Sequence, residues 1–259
     1  MFNVHWHVTH GEMTTSSAEV VIAKLAQFLP FNSVLDVGCG DGRWLSVIRG
    51  RGVDDIAGVD GPWNDPASLY FPADRFHVQD LHEPFDLGRR FDLVMSLEVA
   101  EHVAQSAAAT FVGNLTRHGD VVLFSAAVPY QGGYRHINEQ WPSYWETLFA
   151  QHGFLAFDPL RSQIWTNNDV HVWYKQNTLL YVHRDSHPVI NAVEAYIREH
   201  QSQQMPRDVV HPDRYVDVAT YEVIIPKPFI RQVTRKVFSK LRESAVQAIS
   251  RKPVAKLSA

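Results

Sequence analysis

Short, dense apolar runs alternate with amphipathic ones along this chain. Residues 17–28, SAEVVIAKLAQF, place Val20, Val21, Leu25 and Phe28 at helical spacing. They predict a helix capped by Ser16 or Ser17 and broken at Pro30. SVLDVG (33–38) is apolar on both parities, as a strand buried on both faces must be. GRWLSVIRGRG (42–52) predicts the following helix, closed by Gly50 or Gly52. The unit then recurs. Strands are expected at DIAGVDG (55–61), RFHVQDL (75–81), FDLVMSLEV (91–99) and DVVLFSAAVP (120–129), with a helix over 100–119. WPSYWETLFAQHG (141–153) predicts an amphipathic helix with Pro142 in its first turn and Gly153 at its end. FLAFDPLR (154–161) and VWYKQNTLLYVHR (172–184) complete the pattern as two strands without a clear helix between them. Such alternation implies α/β architecture: a doubly wound, mostly parallel sheet of seven strands, covered on both faces, with an antiparallel hairpin at its edge.

Charge divides the chain where hydropathy does not. From Lys227 to the end there are nine Lys/Arg and one acid, Glu243, whereas the rest holds 15 Lys/Arg against 27 Asp/Glu. The tail PFIRQVTRKVFSKLRESAVQAI carries Phe229, Val233, Val237 and Leu241 at i, i+4 spacing among its basic residues. A basic amphipathic helix suits a membrane surface or a partner protein, or packs on its own acidic body. The expected divisions are 1–185 for the α/β domain, 186–226 for a helical or irregular extension and 227–259 for the tail. An acidic body argues against nucleic acid as a partner. The single cysteine, Cys39, precludes an intrachain disulfide and fits a reducing compartment. No signal segment or apolar span is read, so a cytoplasmic protein is expected, with peripheral contact at the inner membrane face through the tail as a further expectation.

The chemistry begins at SVLDVGCGDG. A bare glycine turn between a first strand and its helix lets an anionic or polar ligand approach backbone N–H groups. A phosphate-binding P-loop would need a lysine that is absent here. A dinucleotide fingerprint would need a third glycine where Arg43 stands. The loop from Asp36 to Gly42, with glycines at Gly38, Gly40 and Gly42, instead resembles the nucleotide loop of class I S-adenosylmethionine-dependent methyltransferases. The resemblance extends through Asp60 at the end of the second strand, Asp80 in VQDL, FDLVMSLEVAEHV at the fourth strand and the GF pair Gly153–Phe154 before the final strands. It covers roughly residues 17 to 184.

What the resemblance implies is a Rossmann-like fold with S-adenosylmethionine as cofactor and S-adenosylhomocysteine as product. Asp36 would accept from loop amides or the methionine amino group, Asp60 from the ribose hydroxyls, and Asp80 from the adenine amino group. Gly61, Leu81, Cys39 and Glu98 would complete the cofactor site. Cys39 is expected to be a packed loop thiol, and Trp63 either a lid or a packing residue. For the acceptor, no cluster looks like a magnesium site and strand five ends in SAAVPYQGGYRH without an acid, so a metal-independent transfer is expected. His102 and His136 are the candidate bases, because imidazole titrates near neutrality. His102 has the alternative of merely closing the pocket, and Glu101 that of a helix-start acid. The histidines of HWHVTH (His5, His7, His10) lack a second ligand set. Tyr130, Tyr134, Trp141, Tyr144, Trp145, Trp165 and Trp173, with nearby amides and Arg161, would suit a sugar ring or simply pack the sheet edge. The expected reaction is O-methylation of a small-molecule hydroxyl, on a sugar or glycan intermediate. The alternatives are a lipid- or quinone-like acceptor at the membrane, or a non-catalytic S-adenosylmethionine-binding scaffold.

Overall fold

The structure is a computed structural model that describes residues 4–200, 205–216 and 219, with side chains from Gly11 onward. The chain separates after His211 into two units. Beyond that point the described residues are helical backbone at 212–216 and 219. The sheet and both of its ligand-facing edges belong to the first unit. The basic tail expected over 227–259 lies outside the described residues, as do the side chains of His5, His7 and His10.

Seven strands form one sheet in the order β3-β2-β1-β4-β5-β7-β6. They are β1 (Ser33–Val37), β2 (Asp55–Asp60), β3 (Phe76–Val78), β4 (Leu93–Leu97), β5 (Val121–Ser125), β6 (Phe154–Phe157) and β7 (Leu179–His183). The first five pair in parallel, while β7 runs antiparallel to both β5 and β6. Helices α1 (Val4–Leu25), α2 (Arg43–Gly50), α3 (Ala108–His118), α4 (Pro142–Gln151), α5 (Arg161–Ile164), α6 (Val172–Asn177) and α7 (His187–Glu199) surround it.

Strand alternation sends neighbouring apolar residues to opposite faces. Val34, Leu93, Met95 and Leu123 pack with Ile22 and Leu25 of α1, Leu45 and Ile48 of α2, and Val193 of α7. Leu35, Val37, Val94 and Val122 pack with Phe111 and Leu115 of α3 and with Trp145 and Phe149 of α4. Truncating a fully buried leucine such as Leu45 to alanine costs about 2–5 kcal/mol. The chain winds outward from β1 to β3, then crosses back to β4 on the other side of β1. The carboxyl ends of β1 and β4 therefore meet at the topological switch point, where open α/β sheets bind ligands.

Four expectations need correction. Ser16 and Ser17 are not caps, because α1 begins well upstream; their hydroxyls donate back to the carbonyl of Met13 at 3.2 and 2.5 Å. Residues 100–107 are two 3-10 turns, and the helix begins only at Ala108. The Glu101 carbonyl accepts the amides of Ile137 and Asn138 instead of continuing a helical ladder. The third strand stops at Val78, short of Asp80. Residues 172–177 are helix rather than strand, so two short helices separate β6 from β7. A strand would point Gln176 and Asn177 to opposite faces. In the helix both side chains reach one buried network.

Candidate active site

The cofactor edge is made largely of backbone. Gly38, Gly40 and Gly42 have φ of 83°, 54° and 84°, a left-handed run that side chains resist. A Cβ at Gly38 would stand 2.5 Å from Val99, and one at Gly42 would stand 2.1 Å from the Phe71 ring. At Gly40 nothing lies within 4 Å of such an atom, so the loop is open there. The turn then enters α2, whose first N–H groups face the same edge. Asp60 closes the loop: its Oδ2 accepts Gly40 N–H at 2.7 Å and its Oδ1 accepts Gly61 N–H at 2.6 Å. Trp63 is 75% exposed, and its ring lies where a Cβ on Gly61 would fall.

Asp36 is 3% exposed, and among the described residues no hydrogen bond reaches its carboxylate. Burial, then the charge of Asp60, pushes its pKa up to about 8. A carboxyl group in that position gains from a cationic neighbour. The Cys39 thiol is buried and donates weakly to Gly40 O at 3.7 Å. Burial and the charges of Asp36 and Asp60 push its pKa far upward, which disfavours the nucleophilic thiolate. Asp80 lies beyond β3 in an exposed turn, where its Oδ1 accepts His82 N–H at 3.0 Å and meets His82 Nδ1 at 2.9 Å. Those bonds from His82 hold its carboxyl below the usual range. Leu81 beside it is buried.

The acceptor edge, after β4 and β5, is made of side chains. Among the described residues three non-glycines hold left-handed backbone: Glu98 (φ 57°), Tyr130 (φ 66°) and Arg135 (φ 60°). All three lie on this rim, and strain of that kind gathers at functional sites. The Glu98 carboxylate accepts Gln131 Nε2 at 2.8 Å and Asn177 Nδ2 at 3.0 Å, and its amide donates to the Ser125 carbonyl at 3.0 Å. Gln176 joins through Gln131 Oε1 at 3.2 Å and Asn177 Oδ1 at 2.9 Å. Burial pushes the Glu98 carboxyl upward against those hydrogen bonds.

Glu101 is 1% exposed, and its Oε2 has no hydrogen-bond partner. Burial and then Glu98 push its carboxyl well above the usual range. His102 and His136 meet edge to face, ring centres 4.9 Å apart. His102 Nδ1 lies 3.3 Å from the Arg135 carbonyl, and His136 Nδ1 lies 2.9 Å from Glu139 Oε1. Desolvation, then His136, hold His102 below its ordinary pKa. Val99 joins the two edges, since its side chain lies against Gly38.

The fold brings Asp36, Gly38, Cys39, Gly40, Gly42, Asp60 and Gly61 to one edge, and Glu98, His102 and His136 to the neighbouring one. Asp80 stands apart in its own turn. Arg161 is not available to a sugar: it is fully buried, paired with Asp158 at 2.8 Å, and donates to the carbonyls of Gln176, Pro206 and Arg207. Trp145 belongs to the core, whereas Tyr130 and Tyr134 are exposed at the rim. Sequence reasoning missed Glu139, Gln176 and Asn177. The polar triplet KQN inside an apolar run was the available signal for the last two.

One ligand atom each of Glu101, His102 and His136 lies within 4.8 Å of the other two. Carboxylates after strands four and five do not reveal this set, because two of its members are imidazoles and one comes from a loop.

A family model described as "Methyltransferase domain" matches residues 14–162. No curated protein matches the chain. Among solved structures, a sugar N-methyltransferase from Streptoalloteichus sp ATCC 53650 is similar with a TM-score of 0.52 and 19% identity, covering 71% of this chain and 94% of its own. An amino pentose methyltransferase from Micromonospora echinaspora, solved with S-adenosylmethionine, gives 0.51 and 17%, covering 71% and 98%. The magnesium protoporphyrin IX methyltransferase of Synechocystis PCC 6803, also solved with S-adenosylmethionine, gives 0.50 and 20%, covering 71% and 85%. With the matched domain spanning more than half of the residues, over a sheet and loop of the expected kind, this chain belongs to the class I S-adenosylmethionine-dependent methyltransferase family.

Proposed function

We propose that the chain binds S-adenosylmethionine at its glycine loop and transfers the methyl group to a hydroxyl of a small polar acceptor, a sugar or glycan intermediate. The observation that carries the cofactor half is Asp36, a buried carboxyl without a hydrogen-bond partner among the described residues, beside a second acid. A ligand bearing an ammonium and a sulfonium supplies the missing positive charge. Each Asp60 oxygen accepts one backbone amide and keeps lone-pair capacity for a ribose hydroxyl. Gly38, Cys39, Gly40, Gly42 and Gly61 form the cradle, Glu98 borders it, and Asp80 with Leu81 lies on the adenine side.

When bound, the cofactor supplies an electrophilic methyl on sulfur. The work of this chain is positional: it holds the acceptor oxygen in line and manages the hydroxyl proton. His102 and His136 are the groups at the rim suited to the proton. A hydroxyl acceptor needs such groups more than an amine does, which favours oxygen over nitrogen. Exposed Tyr130 and Tyr134 beside the amide network offer stacking and hydrogen bonding to a sugar ring. The similar solved sugar methyltransferases make that class the first to assay.

The transferase domain in this reading is 1–185, followed by the extension at 186–226 and the tail at 227–259. The tail's nine basic residues against one acid favour a second reading, a lipid- or quinone-like acceptor met at an anionic membrane from the cytoplasmic side. Among the described residues no helix is long and apolar enough to cross a membrane. Removing residues 227–259 should abolish sedimentation with anionic vesicles and leave cofactor affinity unchanged; equal sedimentation removes the membrane reading. For the main reading, Asp60→Ala should weaken S-adenosylmethionine at least about tenfold through the lost charge-assisted bonds. Unchanged affinity contradicts the assignment.

A further inference from the structure

We propose that Glu101, His102 and His136 bind a divalent transition-metal ion at the acceptor rim. The placement of the other ring nitrogens argues for it. His136 Nδ1 is engaged by Glu139 Oε1 at 2.9 Å, and His102 Nδ1 faces the Arg135 carbonyl at 3.3 Å. Each acceptor fixes the proton on Nδ1 and leaves Nε2 as a bare lone pair, as metal-binding histidines are held. His136 Nε2 lies 3.9 Å from Glu101 Oε1. Two atoms bound to one ion at about 2.1 Å each stand ~3.0 to 4.2 Å apart, so this pair is already within range. The whole set lies within 4.8 Å, so its widest pair would close by about 0.6 Å or more around an ion. Glu101 Oε2 is a buried oxygen without a hydrogen-bond partner, on a carboxylate within the cluster. Two imidazoles with one carboxylate select a first-row ion such as Mn²⁺, Fe²⁺, Co²⁺ or Zn²⁺ over Mg²⁺ or Ca²⁺. Three ligands leave coordination positions open for an acceptor.

The site stands on this geometry alone; its use rests on the proposed methyl transfer. An ion here holds the acceptor oxygen and makes its proton more acidic. The O–H proton leaves to solvent, the O–C bond forms, and the methyl–sulfur bond breaks with its electron pair remaining on sulfur. The ion keeps its charge and oxidation state throughout. The proposal replaces both the metal-independent transfer expected from the sequence and the proton-accepting role of His102 and His136, whose Nε2 lone pairs would be on the ion.

The test uses the full chain, stripped with a chelator, with His5, His7 and His10 replaced by alanine to remove a competing set. Mn²⁺ and Zn²⁺ are titrated by electron paramagnetic resonance and calorimetry, with S-adenosylmethionine affinity measured on the same samples. One equivalent should bind, and H102A, H136A and the near-isosteric Glu101→Gln should each weaken it at least tenfold. Glu139→Ala should weaken it about 10–100-fold through the lost imidazole support. Cofactor affinity should stay within twofold in H102A. Absence of stoichiometric binding, or binding unchanged in H102A and H136A, overturns the proposal. Metal binding without cofactor binding would leave the site standing and remove the methyl-transfer reading; the reverse would remove the site alone.

Discussion

The two edges of the switch point are built from different materials. On the β1–β2 side the ligand surface is main chain, shaped by three left-handed glycines and closed by one carboxylate on two amides. On the β4–β5 side it is side chain: two imidazoles, one buried and one half-buried carboxyl, and three amides from three separate segments. The first surface tolerates almost no change of backbone, and the second tolerates change of identity where its hydrogen bonds survive. A shared donor requires the former, and a particular acceptor requires the latter.

The largest effect should come from a side chain added to the backbone edge. Left-handed backbone costs a non-glycine about 1–2 kcal/mol. At Gly42 a Cβ also meets the Phe71 ring, and overpacking adds about 1–3 kcal/mol. Gly42→Ala should abolish cofactor binding and lower Tm, while Gly40→Ala, with open space around it, should do markedly less. Equal effects at the two positions would break the contrast.

On the acceptor edge, His102→Ala should reduce turnover about 10²-fold or more while cofactor affinity changes less than about twofold. Parallel loss of both would mean that the edges are not separable.

Asp36 sharpens the comparison by pH. Its folded pKa of about 8 lies above the ordinary carboxyl value of 3.8. The stability it contributes is full below pH 3.8 and is lost as pH rises toward 8. The ligand-free chain should therefore lose Tm between pH 5 and 8. Asp36→Asn should flatten that slope, raise Tm at pH 8 and weaken S-adenosylmethionine about tenfold or more. A Tm profile identical to wild type contradicts the raised pKa.

The smallest effect is expected at Asn177→Ala. It removes two of the bonds that hold Glu98 and Gln131, at about 1–3 kcal/mol. KM for the acceptor should rise with cofactor affinity unchanged.

This difference in material also decided what could be read from sequence. β1, β2, β4 and β5 are legible because strands buried on both faces show apolar residues on both parities, interrupted by few polar ones. The loop is legible because glycine adopts its left-handed φ values at the least cost, and three such positions fall within five residues. The acceptor rim is opaque because its parts meet only in three dimensions. Residues 98, 101, 131, 136 and 177 carry no common spacing. The run 172–177 reads as strand by its aromatics and becomes helix because two neighbouring amides serve one network. Glu101 reads as a helix-start acid, yet no helix starts there, since its carbonyl is taken by the loop at 137–138.

The most direct measurement is calorimetric titration of the intact chain with S-adenosylmethionine and S-adenosylhomocysteine, with NAD as control, in buffers of differing ionisation enthalpy at pH 7. The account predicts saturable one-to-one binding of the first two, none of NAD, and proton release with S-adenosylmethionine that disappears in Asp36→Asn. Absence of binding by either ligand, or binding of NAD in their place, would contradict it.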